Sequence, residues 1–458
     1  MLVDTHAHLD DARFDKDRDA AIARAAEAGV GFIINPGADM ASSRKAVEIA
    51  DSHECVYAAV GVHPHDAKTF DAAALDELRR LAAHPKVVAI GEIGLDYYRD
   101  LSPRDVQREA FRRQLDLAAE CDLPVILHSR EAHADVEAIL IERAKSVALR
   151  GVLHCFSGDA AWAARAVKMG LLLGFDGPLT FESASALRAV AAAIPVERAL
   201  IETDSPYLAP LPKKKSDRTE PADAVLIARK FAEIRKLSYA DVCRVTGLSA
   251  AKLFGIPSAD ERAKIAYVIR NSIYLNITNR CSNRCTFCIR QSSDTVKGHR
   301  LWLDREPAVG EVIAALGDVT PYDEVVFCGY GEPTERLDVV KDVSRWAKSK
   351  GKKVRLVTNG EGDLLNRRAI APELAGLIDR VSISVNTTDP SQFERLCQSE
   401  FGAEAHAAVL KFVESCRGVI PEIEITAVGA PGVDMKAVAA LAEKIGVAFR
   451  PRQYNEVG

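Results

Sequence analysis

The chain has 458 residues, a formal net charge of −5 and a charged fraction of 27%. Single cores rarely grow beyond about 250 to 300 residues, so this length predicts two domains. The mild negative charge argues against the basic surface of a protein that grips long duplexes. No stretch approaches the ~20 apolar residues of a membrane span and no leader pattern opens the chain, which predicts a soluble, cytoplasmic protein.

Short apolar runs alternate with helical patterns along the first half, which is typical of repeated βα units that build a parallel sheet. Eight such runs end near Asp4, Asn35, Val62, Ile93, Leu127, Leu153, Gly174 and Ile201. Eight units within about 200 to 250 residues predict a closed TIM-like (β/α)8 barrel. We assign residues 1–257 to this domain and 258–269 to a linker.

The second half repeats this pattern with fewer units. Its six apolar runs cover residues 273–277, 324–328, 354–357, 381–385, 423–428 and 447–449. Six βα units cannot close an eight-stranded barrel, so residues 270–458 are predicted to form a partial (β/α)6 barrel. Its site is expected at the carboxyl ends of the strands.

Histidines and carboxylates follow the strand-like runs of the first half, which holds nine of the eleven histidines. His6 and His8 come directly after the first run, where alternate residues of an extended segment face the same side. The other candidates end the fourth, fifth, sixth and eighth runs, so all converge on one barrel mouth. The candidate ligands are His6, His8, Glu92, His128, His154 and Asp204. Four imidazoles and two carboxylates suit two divalent ions, and Mg²⁺, Mn²⁺ and Zn²⁺ all remain possible.

The motifs that carry these residues resemble those of the TatD family of metal-dependent deoxyribonucleases, and the resemblance covers residues 1–257. They include His6-Ala7-His8 and Glu202-Thr203-Asp204-Ser205-Pro206. The resemblance implies that one metal is held by His6, His8 and Asp204. It implies that the other is held by His128 and His154, with Glu92 as the bridge.

The same resemblance implies roles in hydrolysis. Asp204 would orient or deprotonate the attacking water, and His63 would reach toward the substrate. The expected substrate is DNA, as single strands or ends. Two alternatives stay open: the histidines are strand-end residues held by backbone partners, or the two metals hydrolyse amides or lactones instead of phosphodiesters.

A tight cysteine motif marks the second half, which holds six of the ten cysteines. Cys281, Cys285 and Cys288 follow the run 273–277 with C-x3-C-x2-C spacing. Three thiolates can hold a [4Fe-4S] cluster and leave one iron open for the amino and carboxylate groups of S-adenosylmethionine (SAM). A structural zinc site is the alternative, although zinc normally takes a fourth Cys or His.

Further glycines and polar residues end the following runs, where SAM would need them. With the cysteine motif they resemble the radical SAM superfamily, and specifically its TatD-linked group, over about residues 270–454. The resemblance implies SAM contacts from Phe287, Gly329, Gly331, Glu332, Thr358, Asn359, Ser384 and Asn386. Phe287 is expected near adenine, and a reductant such as flavodoxin or ferredoxin is implied.

Together these patterns predict a bifunctional enzyme, with a phosphodiester hydrolase fused to a domain that cleaves SAM to a 5′-deoxyadenosyl radical. The radical substrate stays open and includes a protein, a nucleic acid or a small metabolite. The alternative is an amidohydrolase-type or esterase-type hydrolase whose cluster domain is a redox sensor or regulatory module.

Overall fold

The computed structural model describes residues 1–145, 147–258, 263–291, 294–296 and 298–452. The chain divides into two compact units, Met1–Ala259 and Asp260–Gly458. Within the described residues, no helix is both long enough and apolar enough to cross a bilayer.

The first unit is built on eight parallel strands that pair in chain order. They are β1 (Leu2–Asp4), β2 (Val30–Pro36), β3 (Val56–Val60), β4 (Val87–Asp96), β5 (Val125–Arg130), β6 (Gly151–Leu153), β7 (Leu172–Phe175) and β8 (Ala199–Ile201). The backbone N–H of Thr5 donates to the carbonyl of Ile201 at 3.1 Å, and Ala7 forms a parallel bridge with Ser205. These contacts join the last strand to the first, so the predicted TIM-like barrel is confirmed.

Nine helices accompany these strands in the described part of the unit. They are α1 (Arg18–Glu27), α2 (Met40–Ser52), α3 (Ala72–Ala82), α4 (Arg104–Glu120), α5 (His133–Ala144), α6 (Ala160–Lys168), α7 (Ser185–Ala193), α8 (Ala224–Arg235) and α9 (Tyr239–Phe254). One apolar cluster receives residues from all eight strands, among them Val3, Ile126 and Leu200, together with Ala250 and Phe254 of α9. Side chains that alternate inward along every strand thus fill the barrel interior.

The described strands of the second unit are β9 (Ala266–Ile269), β10 (Ser272–Leu275), β11 (Thr295–Val296), β12 (His299–Arg300), β13 (Glu324–Phe327), β14 (Lys353–Thr358), β15 (Arg380–Ser384), β16 (Glu422–Val428) and β17 (Ala448–Arg452). Seven of them form one sheet in the order β17-β16-β15-β14-β13-β10-β9, and β11 pairs with β12 in a separate two-stranded sheet. Six of the seven run parallel and match the six predicted runs. The seventh, β9, pairs antiparallel with β10.

Strand β9 lies inside the segment assigned to a linker, which corrects that assignment for residues 266–269. The strand has only four residues, and a two-residue turn at Arg270 and Asn271 returns the chain into β10. Arg270 adopts a left-handed conformation with φ of 54°. Such a short strand before a turn without glycine gives little periodic signal.

Helices cover the parallel part of this sheet. They are α10 (Val309–Leu316), α11 (Leu337–Ser349), α12 (Gly362–Asn366), α13 (Pro390–Cys397), α14 (Glu404–Cys416) and α15 (Met435–Ile445). Strand residues such as Val325, Leu356 and Ile383 pack with α11 and α14 residues into one buried cluster. The connections that follow the parallel strands therefore open at one edge of the sheet, where a site is expected.

Candidate functional site

Six side chains of the first unit meet at the carboxyl ends of the barrel strands, and we call them the Glu92 centre. They are His6 and His8 after β1, Glu92 in β4, His128 in β5, His154 after β6 and Asp204 after β8. The sequence predicted this convergence, and the structure brings all six together.

Glu92 lies in the middle of this centre, with only 5% of its side chain exposed. Its Oε2 lies 3.5 Å from His6 Nε2 and 3.9 Å from His8 Nε2. Its Oε1 lies 2.8 Å from His128 Nδ1 and 4.0 Å from His154 Nε2. The two oxygens of one carboxylate therefore face different imidazoles, as the predicted bridge between two metals requires.

Asp204 faces the same imidazoles from the side of β8. Its Oδ1 lies 3.6 Å from both His8 Nε2 and His154 Nε2. The rings of His6 and His154 stack with centroids 3.4 Å apart. His154 thus lies between the two predicted ligand groups, next to Asp204 as well as Glu92.

His63 is placed inside the centre. Its side chain is buried and its Nε2 lies 3.7 Å from Glu92 Oε1. Ligand-capable atoms of His63, Glu92 and His128 lie within 4.8 Å of one another. His63, which is predicted to contact the substrate, therefore lies beside Glu92, the candidate bridging ligand.

Two buried carboxylates lie next to the histidines of the centre, and no role was predicted for them from the sequence. Asp96 Oδ2 lies 3.1 Å from His128 Nε2 and 3.0 Å from the His65 ring. Glu202 Oε1 lies 2.9 Å from His154 Nδ1. Imidazole ligands commonly carry such a carboxylate partner, which fixes the ring orientation. Strand alternation was the available signal for Asp96, since residues 92, 94 and 96 share one face of β4.

In the second unit, the loop 281–288 carries the three cysteines and is fixed to two neighbouring elements. The backbone N–H groups of Arg284 and Thr286 donate to the carbonyls of Cys397 and Leu396 at the end of α13, at 3.0 and 2.8 Å. On the other side, Ser282 Oγ donates to the Glu361 carboxylate at 2.6 Å. These bonds hold the cysteine loop against the carboxyl edge of the sheet.

One pocket brings together the three cysteines and every residue predicted to contact SAM. These lining residues are Cys281, Cys285, Cys288, Phe287, Gly329, Gly331, Glu332, Thr358, Asn359, Ser384 and Asn386. Tyr267, Cys328 and Arg452 also line it, although none of the three was predicted to contact SAM. The C-x3-C-x2-C motif and the polar strand ends therefore share one cavity.

Within this pocket the Glu332 carboxylate is bound to protein groups. Its Oε1 accepts from Thr358 Oγ1 at 2.7 Å and Thr334 Oγ1 at 2.7 Å, and its Oε2 accepts from the Asn359 backbone N–H at 2.7 Å. The carboxylate thus ties the end of β13 to the end of β14. Any contact of this side chain with a ligand competes with these bonds.

The glycines at the end of β13 make room for protein atoms. A Cβ on Gly329 would lie 2.3 Å from Asn276 Oδ1, and one on Gly331 would lie 2.3 Å from the carbonyl oxygen of Arg280. The sequence predicts these glycines as SAM contacts. The structure shows that the loop before Cys281 takes up that space.

Comparison with protein-family models identifies both units. A model described as TatD related DNase matches residues 3–255. The chain belongs to the TatD-related DNase family. A second model, the Radical SAM superfamily, matches residues 275–445. The second unit is therefore a radical SAM domain, and we call the two the TatD unit and the radical SAM unit.

Curated relatives match the TatD unit over nearly their whole length. YabD of Bacillus subtilis, described as a metal-dependent hydrolase, is 41% identical over 256 residues, which cover 56% of this chain and 100% of the relative. TatD of Cronobacter sakazakii, described as a 3'-5' ssDNA/RNA exonuclease, is 40% identical over 257 residues, or 55% of this chain and 97% of the relative.

Solved structures of the family agree with the barrel fold. The TatD homologue YjjV of Escherichia coli K12 superimposes with a TM-score of 0.53 at 34% identity, covering 56% of this chain and 98% of that one. A TatD-family hydrolase of Entamoeba histolytica gives a TM-score of 0.51 at 26% identity, covering 55% and 97%.

The donor set of the Glu92 centre fits divalent cations. Burial opposes protonation of His8 and His154, but the neighbouring carboxylates raise the pKa of His8 to about 9 and that of His154 to about 10. Burial also favours the neutral form of Glu92, yet the surrounding imidazoles hold its pKa well below its usual value. The carboxylates of the centre therefore carry negative charge that neutral imidazoles do not balance. A set of nitrogen and oxygen donors with this net negative charge suits Mg²⁺, Mn²⁺ or Zn²⁺.

The radical SAM pocket fits an iron-sulfur cluster and a polar ligand. Burial raises the pKa of the Cys281 thiol to about 12, so a neutral thiol is favoured there until cationic iron stabilises the thiolate. Asn386 Oδ1 is buried at the pocket and has no hydrogen-bond partner among the described residues. A buried acceptor of this kind calls for a donor from a ligand.

Proposed function

We propose that the TatD unit is a metal-dependent nuclease that hydrolyses phosphodiester bonds of single-stranded DNA or of DNA ends. The position of Glu92, whose two carboxylate oxygens face different imidazoles, carries this proposal. Two bound divalent ions would clamp the phosphodiester and activate water. The description of the Cronobacter relative as a single-strand exonuclease supports the same substrate class.

The exposure of the two carboxylates in the centre indicates their different roles. Asp204 is 16% exposed at its side chain, whereas Glu92 is 5% exposed, so Asp204 is the more open carboxylate. We assign Asp204 to orienting the attacking water and accepting its proton. Glu92 then serves as the buried bridge, and His6, His8, His128 and His154 serve as ligands.

The nuclease proposal is tested on the full chain after treatment with a chelator. Addition of Mg²⁺ or Mn²⁺ should shorten an end-labelled single-stranded oligonucleotide, and Glu92→Gln should remove at least ~99% of the rate because the bridge loses its charge. Glu77→Gln is the matched control, because Glu77 pairs with Arg44 at the surface. No metal-dependent cleavage of any oligonucleotide would refute the proposal.

We propose further that the radical SAM unit cleaves SAM reductively. One electron from an external donor, such as flavodoxin or ferredoxin, breaks the bond between sulfur and C5′, which yields methionine and a 5′-deoxyadenosyl radical. Cys281, Cys285 and Cys288 would hold the [4Fe-4S] cluster that relays this electron. The pocket residues would position SAM, with Phe287 against adenine and Asn386 accepting from a polar group.

Anaerobic reconstitution with iron and sulfide tests this proposal. With dithionite and SAM, the full chain should release 5′-deoxyadenosine and methionine, and Cys281→Ser should release neither. Cys55→Ser, which changes a half-buried cysteine of the TatD unit, is the control. A stable cluster without SAM cleavage would overturn the enzymatic proposal in favour of a redox sensor.

The two proposals together describe a bifunctional enzyme, and single substitutions separate its activities. Glu92→Gln should leave formation of 5′-deoxyadenosine within about twofold of the unsubstituted chain, and Cys281→Ser should do the same for the nuclease. Loss of both activities in either variant would show that the sites depend on each other.

A further inference from the structure

Two tyrosines stand out at the mouth of the TatD barrel because they are exposed although large. Tyr98 is 55% exposed and Tyr207 is 46% exposed. An arginine lies over one face of each ring: the Arg130 guanidinium is 4.0 Å from the Tyr98 centroid, and that of Arg13 is 4.2 Å from the Tyr207 centroid. Each pair therefore places a guanidinium over one face of a tyrosine ring that is about half exposed.

The pairs lie on opposite sides of the Glu92 centre. Tyr98 follows β4 and Arg130 ends β5, whereas Tyr207 follows β8 and Arg13 follows β1. In a barrel with strand order β1 to β8, the β4–β5 edge is half a turn from the β8–β1 closure. A strand that crosses the centre from one edge to the other passes both pairs.

Tyr98 is fixed to the metal-facing side chains through one carboxylate. Its backbone N–H donates to Asp96 Oδ1 at 3.0 Å, and Asp96 Oδ2 lies 3.1 Å from His128 Nε2. The Arg130 guanidinium forms no ion pair with the described residues, so its charge can face a phosphate.

Tyr207 is fixed on the other side by its own set of contacts. Its backbone N–H donates to the carbonyl of Asp204 at 2.8 Å, and its ring meets the His8 ring edge-on at 6.1 Å. Its hydroxyl donates to Asp11 Oδ2 at 3.2 Å, and Asp11 also pairs with Arg13 at 2.8 Å. The ring orientation is thus set before any ligand arrives.

We propose that Tyr98 with Arg130 and Tyr207 with Arg13 are two base-stacking subsites, which bind the unpaired bases on either side of the scissile phosphate. Aromatic faces stack on any base, the guanidinium over each ring adds a cation–π contribution, and Arg130 adds a charge for the backbone. Paired bases have their faces covered, so the two subsites select single strands or frayed ends. This inference rests on the proposed nuclease function for its substrate class.

Binding of a fluorescein-labelled single-stranded oligonucleotide to the chelator-treated full chain tests the subsites without catalysis. Tyr98→Leu and Tyr207→Leu should each weaken binding about 10-fold, because one base loses its stacking face. Tyr98→Phe and Tyr207→Phe should restore binding to within about twofold. An oligonucleotide with abasic positions should bind the Leu variants and the unsubstituted chain alike.

Tyr57→Leu is the matched control, because Lys86 Nζ lies over the Tyr57 ring at 4.6 Å near the amino end of β3. It should leave binding unchanged. Leu variants that bind the normal oligonucleotide as tightly as the unsubstituted chain would overturn the subsites. So would a 10-fold loss that persists on the abasic oligonucleotide. A chain that binds as expected but never cleaves would instead refute the proposed nuclease function.

Discussion

Glu202 should control metal affinity without being one of the six side chains of the Glu92 centre. Its Oε1 lies 2.9 Å from His154 Nδ1 and accepts from the Cys155 backbone N–H at 2.6 Å. Gly174 leaves it room, because a Cβ there would lie 2.3 Å from both Glu202 carboxylate oxygens. The buried carboxylate can therefore be altered directly, or displaced from behind by Gly174→Ala.

The expected magnitude follows from what each change removes. Glu202→Gln keeps an acceptor and loses only the charge, so metal affinity should fall about 10-fold. Glu202→Ala removes the carboxylate that lies 2.9 Å from His154 Nδ1 and leaves the Cys155 N–H without an acceptor, so the loss should approach 100-fold, or about 2.7 kcal/mol. Gly174→Ala should fall between these two, since it shifts the carboxylate but keeps its charge.

Calorimetric titration of Mn²⁺ or Zn²⁺ into the chelator-treated chain measures these affinities. Gly310→Ala is the matched control, because a Cβ at Gly310 meets no atom within 4 Å. The reasoning is refuted if Gly174→Ala and Glu202→Ala remain folded by circular dichroism and bind metal as tightly as the unsubstituted chain.

Three further substitutions test the cluster loop, the SAM pocket and the core. Cys281→Ser should leave well under half of the reconstituted iron and sulfide, and unchanged iron content would contradict the ligand assignment. Glu332→Gln places an amide N–H among hydrogen-bond donors, so the free energy of unfolding of the radical SAM unit should fall by about 1 to 3 kcal/mol. Urea unfolding followed by tryptophan fluorescence measures this change, and an unchanged midpoint would contradict it. Leu78→Ala removes a fully buried side chain and should cost about 2 to 5 kcal/mol in chemical unfolding, whereas Leu101→Ala, at a site 55% exposed, should cost less than about 0.5 kcal/mol; equal losses would contradict the burial argument.

The barrel and the six side chains of its centre were predictable from sequence because each depends on local order. Apolar runs mark the strands, and a residue within a few positions after a run lies at the barrel mouth, as His154 and Asp204 do. The supporting carboxylates were harder to predict. Asp96 and Glu202 act through contacts with rings that come from other strands, and no local pattern states which ring each will face.

In the radical SAM pocket, Cys397 is another residue whose contacts could not be predicted from the sequence. The sequence favours a buried small residue at this position, and the side chain is fully buried. Contact with the Cys397 thiol is the main cause that raises the pKa of the Cys285 thiol, and burial of Cys285 raises it further. The neighbour is set by the backbone bonds between the cysteine loop and the end of α13, which join residues more than a hundred positions apart.

Gly331 of the radical SAM unit can be noticed in the sequence, but only the fold explains why a glycine is needed there. Its missing Cβ leaves space for the carbonyl of Arg280, and Arg280 directly precedes Cys281. The Gly331 backbone N–H in turn donates to the Thr278 carbonyl at 2.9 Å, and that of Glu332 donates to the Arg280 carbonyl at 2.8 Å. A side chain at 331 would therefore push against the segment that leads into Cys281, the first cysteine of the C-x3-C-x2-C motif.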